Sequence, residues 1–262
     1  MVTRRRLLAA LGVLVVVVVG IGAYVFVPRG TNEVSVEDAV GDFRAGSTRS
    51  GDAAARTATG VPTPGVYSFA ASGEEVVKLG PLPAQTRPLP ATVTAVAQTA
   101  AEGCFEWTVN LFAEHTETTT YCLDRSGLVL RKHLKHQKIG ALSPTASMTC
   151  ETGVIPMESG SSTRLDCTME LSGGPLSVSS QLAGTAVAGD QETLRVGAAK
   201  VEATPVRVEY RLSGDLTGTW FETTWWSPDH LPVRVERSLD IAGPATFTER
   251  SRLDLTGLSP AS

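Results

Sequence analysis

From Gly65 to the C-terminus, apolar and polar residues alternate in short runs separated by turn-forming residues. The runs are rich in Val, Thr, Leu and aromatic residues, and clusters of Gly, Pro, Ser and Asp lie between them. A period of two is typical of β-strands, and regular short turns favour antiparallel neighbours. We therefore predict a mainly β fold without helices after Gly65: a curved antiparallel β meander that forms a half-barrel, a barrel or a sandwich. The predicted strands are Val66–Ala71, Glu75–Leu79, Ala91–Ala97, Cys104–Phe112, Thr116–Cys122, Leu128–His136, Thr145–Cys150, Arg164–Leu171, Leu176–Ala188, Glu192–Val196, Val201–Leu212, Leu216–Trp226, Val233–Leu239 and Thr246–Leu255.

A different pattern occurs near the N-terminus, where residues 7–27 form one uncharged and mostly apolar run. As a helix this run would span about 31 Å, which matches the hydrocarbon core of a bilayer. Three arginines at positions 4–6 flank it and favour a cytoplasmic N-terminus. We predict a cytoplasmic tail at residues 1–6, a transmembrane signal-anchor helix at residues 7–27 and an extracytoplasmic body. A cleaved signal peptide ending near residues 21–23 is the alternative.

Residues 28–64 combine a short amphipathic segment with a linker. Val34, Val40 and Phe43 follow a helical period, and Ser35 precedes two acidic residues, as expected for a helix cap. The segment is either a membrane-proximal stalk or a helix that docks on the body. From residue 44 to residue 64, Ala, Thr, Gly and Ser dominate without an apolar period, which predicts a flexible spacer. The extracytoplasmic β domain is then residues 65–262.

Composition and charge limit the classes of function. Of the 262 residues, 42% are hydrophobic and 19% are charged, which is typical of a folded chain. The net charge is -4, which argues against nucleic acid as a general partner. An acidic body gains little from anionic lipid head groups, so we expect the N-terminal helix alone to contact the membrane.

Four cysteines in an exported chain predict two disulfides. Cys104 and Cys122 are equidistant from an expected hairpin turn, and Cys150 and Cys167 flank the turn-rich residues 158–162. Hairpins between sequential strands would bring the two members of each pair face to face. We predict the bonds Cys104–Cys122 and Cys150–Cys167, each worth about 3 kcal/mol. No C-x-x-C pair is present, so we expect no metal site.

One basic cluster lies on the predicted strand Leu128–His136 and just after it. It is a candidate anion-binding surface for a cell-wall polymer, a lipid phosphate or an acidic protein face. The alternative is a solvated strand edge, where lysines discourage edge-to-edge pairing. His133 and His136 would point to opposite faces, which argues against a shared metal site, and we expect His115 and His230 to be ordinary surface residues near turns. The cluster consists of Arg131, Lys132, His133, Lys135, His136 and Lys138.

Four aromatic residues crowd into the predicted strand Leu216–Trp226. Trp220 and Trp226 would share one face of this strand, and Phe221 and Trp225 would share the other. If one face belongs to the core, the other needs cover from another chain segment or from a ligand. The candidate residues for an apolar ligand or partner surface are Tyr67, Trp107, Trp220, Phe221, Trp225 and Trp226.

The sequence contains no G-x-S-x-G, H-E-x-x-H or S-x-x-K motif and no P-loop. Acidic residues are numerous but scattered, and no motif pairs two of them. We therefore predict no catalytic residue and no cofactor.

One set of short motifs covers about half of the chain. It consists of the arginines at positions 4–6 with the helix after them, Gly65-Val66-Tyr67, Ser72-Gly73-Glu74, Gly80, Pro90, Cys104, Trp107 and Cys122. In this set the chain resembles uncharacterised actinobacterial single-pass, membrane-anchored, extracytoplasmic β proteins. The resemblance implies a class and a location, and no known activity.

A second motif, ETTWWSPDHLPV at residues 222–233, reads as strand, turn and strand. It looks like a hairpin of the lipoprotein-carrier-like half-barrel periplasmic proteins. That resemblance implies a curved antiparallel sheet, which in some members wraps around an acyl-chain cavity. Those carriers usually bear helices under the sheet, and the pattern here lacks them.

Three functions remain as hypotheses. The leading one is a membrane-anchored, non-enzymatic envelope protein that binds an unknown protein, polymer or lipid, and a filled interior with an exposed apolar patch would favour it. The alternative is a carrier or sensor of a lipid or other apolar ligand, which a cavity lined by Tyr67, Trp107, Trp220 or Trp226 would favour. The third is an envelope hydrolase, which carboxylates clustered in a polar cleft would favour.

Overall fold

The predicted cytoplasmic tail and transmembrane helix, residues 1–27, lie outside the residues described by the computed structural model. Within the described ranges, no helix is long and apolar enough to cross a membrane. The structure describes residues 32–49, 60–81, 83–101, 103–124, 127–138, 142–173 and 177–262.

One helix and fifteen strands make up the regular structure of the described residues. The helix, α1, is Val36–Arg49. The strands are β1 Gly65–Leu79, β2 Gln85–Pro88, β3 Thr92–Thr99, β4 Cys104–Phe112, β5 His115–Asp124, β6 Gly127–Gln137, β7 Thr145–Thr152, β8 Val154–Ile155, β9 Ser162–Ser172, β10 Val178–Ala188, β11 Glu192–Val196, β12 Ala199–Gly214, β13 Thr217–Trp226, β14 Pro232–Ala242 and β15 Ala245–Leu255.

Twelve strands form a closed antiparallel barrel in which neighbours around the ring follow one another along the chain. The order is β1, β3, β4, β5, β6, β7, β9, β10, β12, β13, β14 and β15. β15 pairs with β1, from Phe69 opposite Leu255 to Leu79 opposite Ala245, and this pairing closes the ring. β2 pairs with β1, β8 with β6 and β11 with β12 as additions. The mainly β, antiparallel prediction is confirmed, and closure selects the barrel over the half-barrel and the sandwich.

The period of two in the sequence explains how the barrel is filled. In β10, Val178, Leu182, Ala186 and Ala188 are buried, and exposed residues alternate with them along much of the strand. Successive side chains of a strand point to opposite faces, so every second residue enters the barrel. Buried residues from most strands form one hydrophobic cluster. A closed ring also leaves no long unpaired edge.

The strand boundaries differ from the prediction in two respects. The predicted strands Val66–Ala71 and Glu75–Leu79 are parts of one strand, β1, which continues through Gly73. Gly73 has a φ of 123°, and a Cβ at this position would lie 2.0 Å from the carbonyl oxygen of Arg250. The close approach of β15 therefore requires glycine here. The two short strands β2 and β8 lie outside the predicted strands.

Two disulfides join neighbouring strands, and both predicted pairings are confirmed. Cys104 of β4 lies opposite Cys122 of β5, with the sulfurs 2.05 Å apart. Cys150 of β7 lies opposite Cys167 of β9, with the sulfurs 2.09 Å apart. Such bonds form and persist in oxidising compartments, which indicates that the barrel folds outside the cytoplasm.

Helix α1 packs against β1 and β3 of the barrel. Ser35 caps it as predicted, because the amide of Asp38 donates to Ser35 Oγ at 3.1 Å. Ala39 is buried, so this segment docks on the barrel and does not stand free as a stalk. The predicted start of the spacer at Arg44 is wrong, because the helix continues past it. Arg44 Nη2 donates to the carbonyl oxygen of Ser262 at 2.6 Å, a long-range contact that local sequence does not reveal.

Candidate binding site inside the barrel

Two adjoining cavities lie inside the barrel. The larger one, which we name the apolar chamber, has a volume of about 380 Å³. It lies near the end of the barrel that carries the β12–β13 and β14–β15 turns, since Leu216, Pro244 and Ala245 line it. The smaller one, the inner cavity, has a volume of about 70 Å³. The residues that line both cavities are Glu117, His133, Met148, Trp220 and Arg237.

The wall of the apolar chamber consists mainly of side chains at alternating positions of the strands. Leu239 and Ile241 of β14 contribute to it, as do Met169 and Leu171 of β9. Ile241 is only half-buried, as expected for a side chain with part of its surface on a cavity. The other apolar wall residues include Val77, Leu142, Pro144, Ala146, Val178 and Phe247.

Beside the chamber lies a group of charged side chains, which we name the charged layer. Its members come from seven different strands and occupy inward or half-buried positions. Burying charges is costly unless they are paired, and here each acid contacts at least one base. The layer consists of Glu75, Glu117, Glu222, Glu249, Arg87, His115, Lys135 and Arg237.

Arg237 contacts three carboxylates of the charged layer. Its Nε lies 2.8 Å from Glu222 Oε2, and its Nη1 lies 2.5 Å from Glu117 Oε2 and 3.5 Å from Glu249 Oε1. Burial acts to lower the pKa of Arg237, but these carboxylates outweigh it and raise the pKa well above its ordinary value. Burial likewise acts to raise the pKa of Glu117, and its cationic neighbours hold that pKa well below its ordinary value. Both groups are therefore ionised at neutral pH.

His115 is fully buried in the charged layer, so the expectation of an ordinary surface residue is wrong for it. Its Nδ1 lies 2.8 Å from Glu75 Oε2 and its Nε2 lies 3.0 Å from Glu117 Oε1. The Nε2 contact with Glu117 has hydrogen-bond geometry, whereas the Nδ1 contact with Glu75 is close without that geometry. The side chain points inward because β5 begins at His115 itself, opposite Phe112 of β4. The pleat of the strand therefore sets its direction.

No motif in the sequence groups the members of the charged layer, because most of them are far apart along the chain. A weaker signal does exist. Arg237 lies between Val235 and Leu239, so the period of two assigns it to the apolar face of its strand. A charged residue on an apolar face is rarely buried without a partner. Such positions therefore indicate a buried ionic group even where the partners cannot be identified.

β6 divides the predicted basic cluster between the two faces of the sheet. His133 and Lys135 line the apolar chamber. The structure leaves the other four members on the exposed side of the strand or just after it. β6 pairs with β5 and with β7, so the alternative of a strand edge is wrong. The exposed members are Arg131, Lys132, His136 and Lys138.

A β-bulge decides which members of the basic cluster face inward. The register between β5 and β6 shifts between Thr120 and Tyr121, which leaves Arg131 as an extra residue in β6. Before the bulge Leu130 faces the interior, and after it His133 does. A bulge reverses which alternate residues face the core. The sequence pattern contains no local signal for the bulge at Arg131.

His133 is buried at the boundary between the two cavities. Its Nδ1 lies 2.9 Å from Thr119 Oγ1, and its ring packs edge-on against Trp220 with the centroids 5.5 Å apart. Burial lowers the pKa of His133 to about 4. The imidazole is therefore neutral at neutral pH. His136 lies on the exposed face of the same strand and contacts Thr145 Oγ1 at 3.1 Å.

Three of the predicted aromatic residues line cavities. Trp107, Trp220 and Trp226 line the inner cavity, and Trp220 also lines the apolar chamber. The indole nitrogens of Trp220 and Trp226 are buried and have no hydrogen-bond partner among the described residues. Tyr67 packs beside Trp107 with the ring centroids 5.6 Å apart and donates to the carbonyl oxygen of Thr63 at 2.7 Å. Tyr67 is thus a core residue next to the cavities and lines neither of them.

Phe221 and Trp225 lie on the outer face of β13. Phe221 is 36% exposed, with the guanidinium of Arg207 6.0 Å from its ring centroid. Trp225 is buried under neighbouring side chains. Its Nε1 donates to Glu192 Oε2 at 3.3 Å, and the guanidinium of Arg234 lies 5.3 Å from its ring centroid. The cover for Trp225 therefore comes from other segments of the chain, β11 and β14.

A scan against protein-family models and a search of curated proteins gave no match. Among solved structures, the chain is similar to a hypothetical lipoprotein, YmcC, from Escherichia coli (K12). The identity is 14% and the TM-score is 0.39, over 88% of this chain and 99% of that chain. In the part of the chain that the structure describes, no group of three or more His, Cys, Asp or Glu residues could hold a metal ion.

Proposed function

We propose that this protein binds a lipid or another apolar small molecule in the apolar chamber and acts as its carrier or sensor in the cell envelope. The chamber itself carries this proposal. Its volume of about 380 Å³ lies within the range of about 300–1,000 Å³ that is usual for small-molecule sites. Most of its lining residues are apolar, and Trp220, one of the four aromatic residues expected around such a cavity, is among them.

The surface offers less support for binding a protein partner. Among the described residues, the large apolar side chains that are exposed are Val187, Phe221 and Leu258. A protein interface of standard size buries a larger area than these three side chains provide, and its centre is apolar. In addition, Arg207 lies over Phe221 and makes that part of the surface charged. The chamber brings together more large apolar side chains than the described part of the chain exposes on the outside of the barrel. We therefore prefer binding inside the barrel to binding of a protein partner on its surface.

The paired state of the carboxylates also supports binding over hydrolysis. Glu117 contacts His115 and the cations Lys135 and Arg237, so both of its oxygens are occupied by partners. Glu249 contacts Lys135 and Arg237 as well. A carboxylate whose pKa is held below its ordinary value is a poor proton acceptor at neutral pH. We therefore assign the charged layer a binding role and propose no catalytic step.

The proposed location combines the disulfides with the sequence pattern. The two disulfides support an oxidising compartment. The apolar residues 7–27 and the arginines before them support a single-pass anchor with a cytoplasmic N-terminus. We propose that the barrel is held at the outer surface of the cytoplasmic membrane, where an apolar ligand could be received from the bilayer.

Photo-cross-linking of the full chain in lipid nanodiscs tests the ligand site. The probe is dodecanol with a diazirine in its chain, so that it is apolar and uncharged. After irradiation and proteolysis, mass spectrometry should find cross-links in the peptides that contain Leu216, Phe247 and other chamber residues. The Ala146→Phe variant should lose this labelling, because Ala146 lines the chamber and the added ring occupies it.

Ala183→Phe is the matched control, because Ala183 is exposed on the outer side of β10. This variant should be labelled like the unmodified chain. The proposal is contradicted if Ala146→Phe leaves the labelling unchanged, or if the cross-links map to the outer face of the barrel.

A further inference from the structure

The charged groups that face the apolar chamber are mainly cationic. Glu117, Lys135 and Arg237 all line it. The side chains of Lys135 and Arg237 are 15% and 12% exposed, whereas that of Glu117 is 3% exposed. Their other carboxylate partner, Glu249, is 1% exposed and does not line the chamber. Glu222, the third carboxylate partner of Arg237, is 18% exposed but lines the inner cavity and not the chamber. Of the charged groups that line the chamber, the two cations are therefore more exposed than Glu117, and a molecule in the chamber meets the cations first.

Arg237 retains hydrogen-bonding capacity that no described residue uses. Its Nε and Nη1 contact the three carboxylates of the charged layer. The hydrogen bonds that Arg237 makes to the described residues come from these two nitrogens, and none comes from Nη2, which carries two N–H groups. A guanidinium has five N–H donors and no acceptor, so the unused part of Arg237 can only donate.

Lys135 also has a donor to spare. Its ammonium lies 3.0 Å from Glu117 Oε1 and 3.3 Å from Glu249 Oε2. These two acceptors leave one of its three N–H donors without a carboxylate. The ammonium also lies 4.2 Å from the ring centroid of Phe247, an apolar wall residue, and this places the charge at the edge of the apolar surface.

We infer that the ligand of the apolar chamber is a single-chain amphiphile with an anionic oxygen head group. The head group accepts hydrogen bonds from Lys135 and Arg237, and the hydrocarbon chain lies along the apolar wall toward Leu216 and Pro244. A cationic head group is disfavoured, because it would meet two cations before any carboxylate. This inference rests on the proposed function, since it names the class of molecule that occupies the same chamber.

The test compares three diazirine probes that share one hydrocarbon chain: dodecanoate, dodecanol and dodecylamine. Each is incorporated into nanodiscs with the full chain at neutral pH, and labelling of the chamber peptides is measured against the probe-to-lipid ratio. The Ala146→Phe variant supplies the background for each probe. We expect dodecanoate to reach half-saturation at about tenfold lower probe-to-lipid ratio than dodecanol, since charge-assisted hydrogen bonds contribute at least that factor, and dodecylamine to bind most weakly.

The outcomes separate this inference from the proposed function. If all three probes label the chamber equally, or if dodecylamine binds most tightly, the inference fails and the proposed function stands. If no probe gives labelling that Ala146→Phe removes, both fail. Preferential labelling by dodecanoate supports both.

Two substitutions on β6 locate the head-group site. Lys135→Gln should reduce the preference for dodecanoate over dodecanol to near one, because it removes the charge at the chamber wall. Lys132→Gln, three residues away on the exposed face, should leave the preference at about tenfold. If Lys132→Gln removes the preference and Lys135→Gln does not, the anion binds at the surface cluster and the inference is overturned. If Lys135→Gln does not fold, the comparison of the three probes on the unmodified chain still tests whether the chamber prefers an anionic head group.

Discussion

Acidification should destabilise the barrel through His133, and the size of this effect follows from its burial. Burial lowers the pKa of this imidazole from 6.5 to about 4, against the opposing attraction of Glu117. In the unfolded chain His133 takes up a proton as the pH falls through its ordinary pKa, whereas in the folded barrel it remains neutral. The stabilising contribution is therefore complete above pH 6.5 and is lost progressively as the pH falls toward 4.

The magnitude can be worked out from these two pKa values. A tenfold change in proton affinity corresponds to about 1.4 kcal/mol, so the neutral His133 contributes about 3 kcal/mol to the free energy of unfolding. Between about pH 7.5 and about pH 4.5, roughly 2.5 kcal/mol of this should be lost. The carboxylates Glu117 and Glu249, whose pKa values lie below their ordinary values, should add a further loss in acid. A variant that lacks only the imidazole is therefore needed to isolate the contribution of His133 to the pH dependence of the free energy of unfolding.

His133→Asn is that variant, because an amide can keep a hydrogen bond to Thr119 and does not titrate. Urea unfolding of the full chain in nanodiscs, followed by circular dichroism, should show about 2.5 kcal/mol less pH-dependent loss in this variant than in the unmodified chain. His136→Asn is the control, since His136 lies on the exposed face of the same strand and makes a comparable contact with Thr145. It should keep the pH dependence of the unmodified chain.

Two results would refute this reasoning. One is an equal pH dependence in the unmodified chain and in His133→Asn. The other is an imidazole of His133 that titrates near 6.5 in the folded protein by nuclear magnetic resonance.

Two further predictions concern the charged layer and the β1–β15 contact, both measured by urea unfolding. Arg237→Met removes the guanidinium that Glu117, Glu222 and Glu249 share, and it should lower the free energy of unfolding by about 3–5 kcal/mol. Arg252→Met, which breaks ion pairs on the exposed face, should lower it by less than about 1 kcal/mol. Similar losses in both variants would mean that the layer contributes no more than surface pairs. Gly73→Ala places a Cβ against the carbonyl oxygen of Arg250 and should cost more than about 2 kcal/mol. At Gly160, φ is 76° and a Cβ would meet no atom within 4 Å, so Gly160→Ala should lower the free energy of unfolding by only about 1 kcal/mol. Equal losses in the two variants would show that crowding by β15 is unimportant.

Placing the candidate binding residues needed more than the sequence pattern. Trp220 lies on the face opposite Phe221 as the period of two predicts, because burial alternates between these two neighbours. The period of two places Lys132 and Lys135 on opposite faces, but which of them points inward depends on the bulge at Arg131, which leaves no local mark in the sequence. His115 was assigned to the surface because it follows a turn, although the strand had already begun.

Local patterning was sufficient for the strands, their antiparallel direction and both disulfides. Strand period, turn residues and the pairing of Cys104 with Cys122 or of Cys150 with Cys167 all depend on residues that are near one another along the chain. Closure of the ring is different, because β1 and β15 are separated by almost the whole domain and no local period specifies that they pair. The chamber and the charged layer exist only once the ring is closed, since closure brings inward positions of distant strands together across one interior.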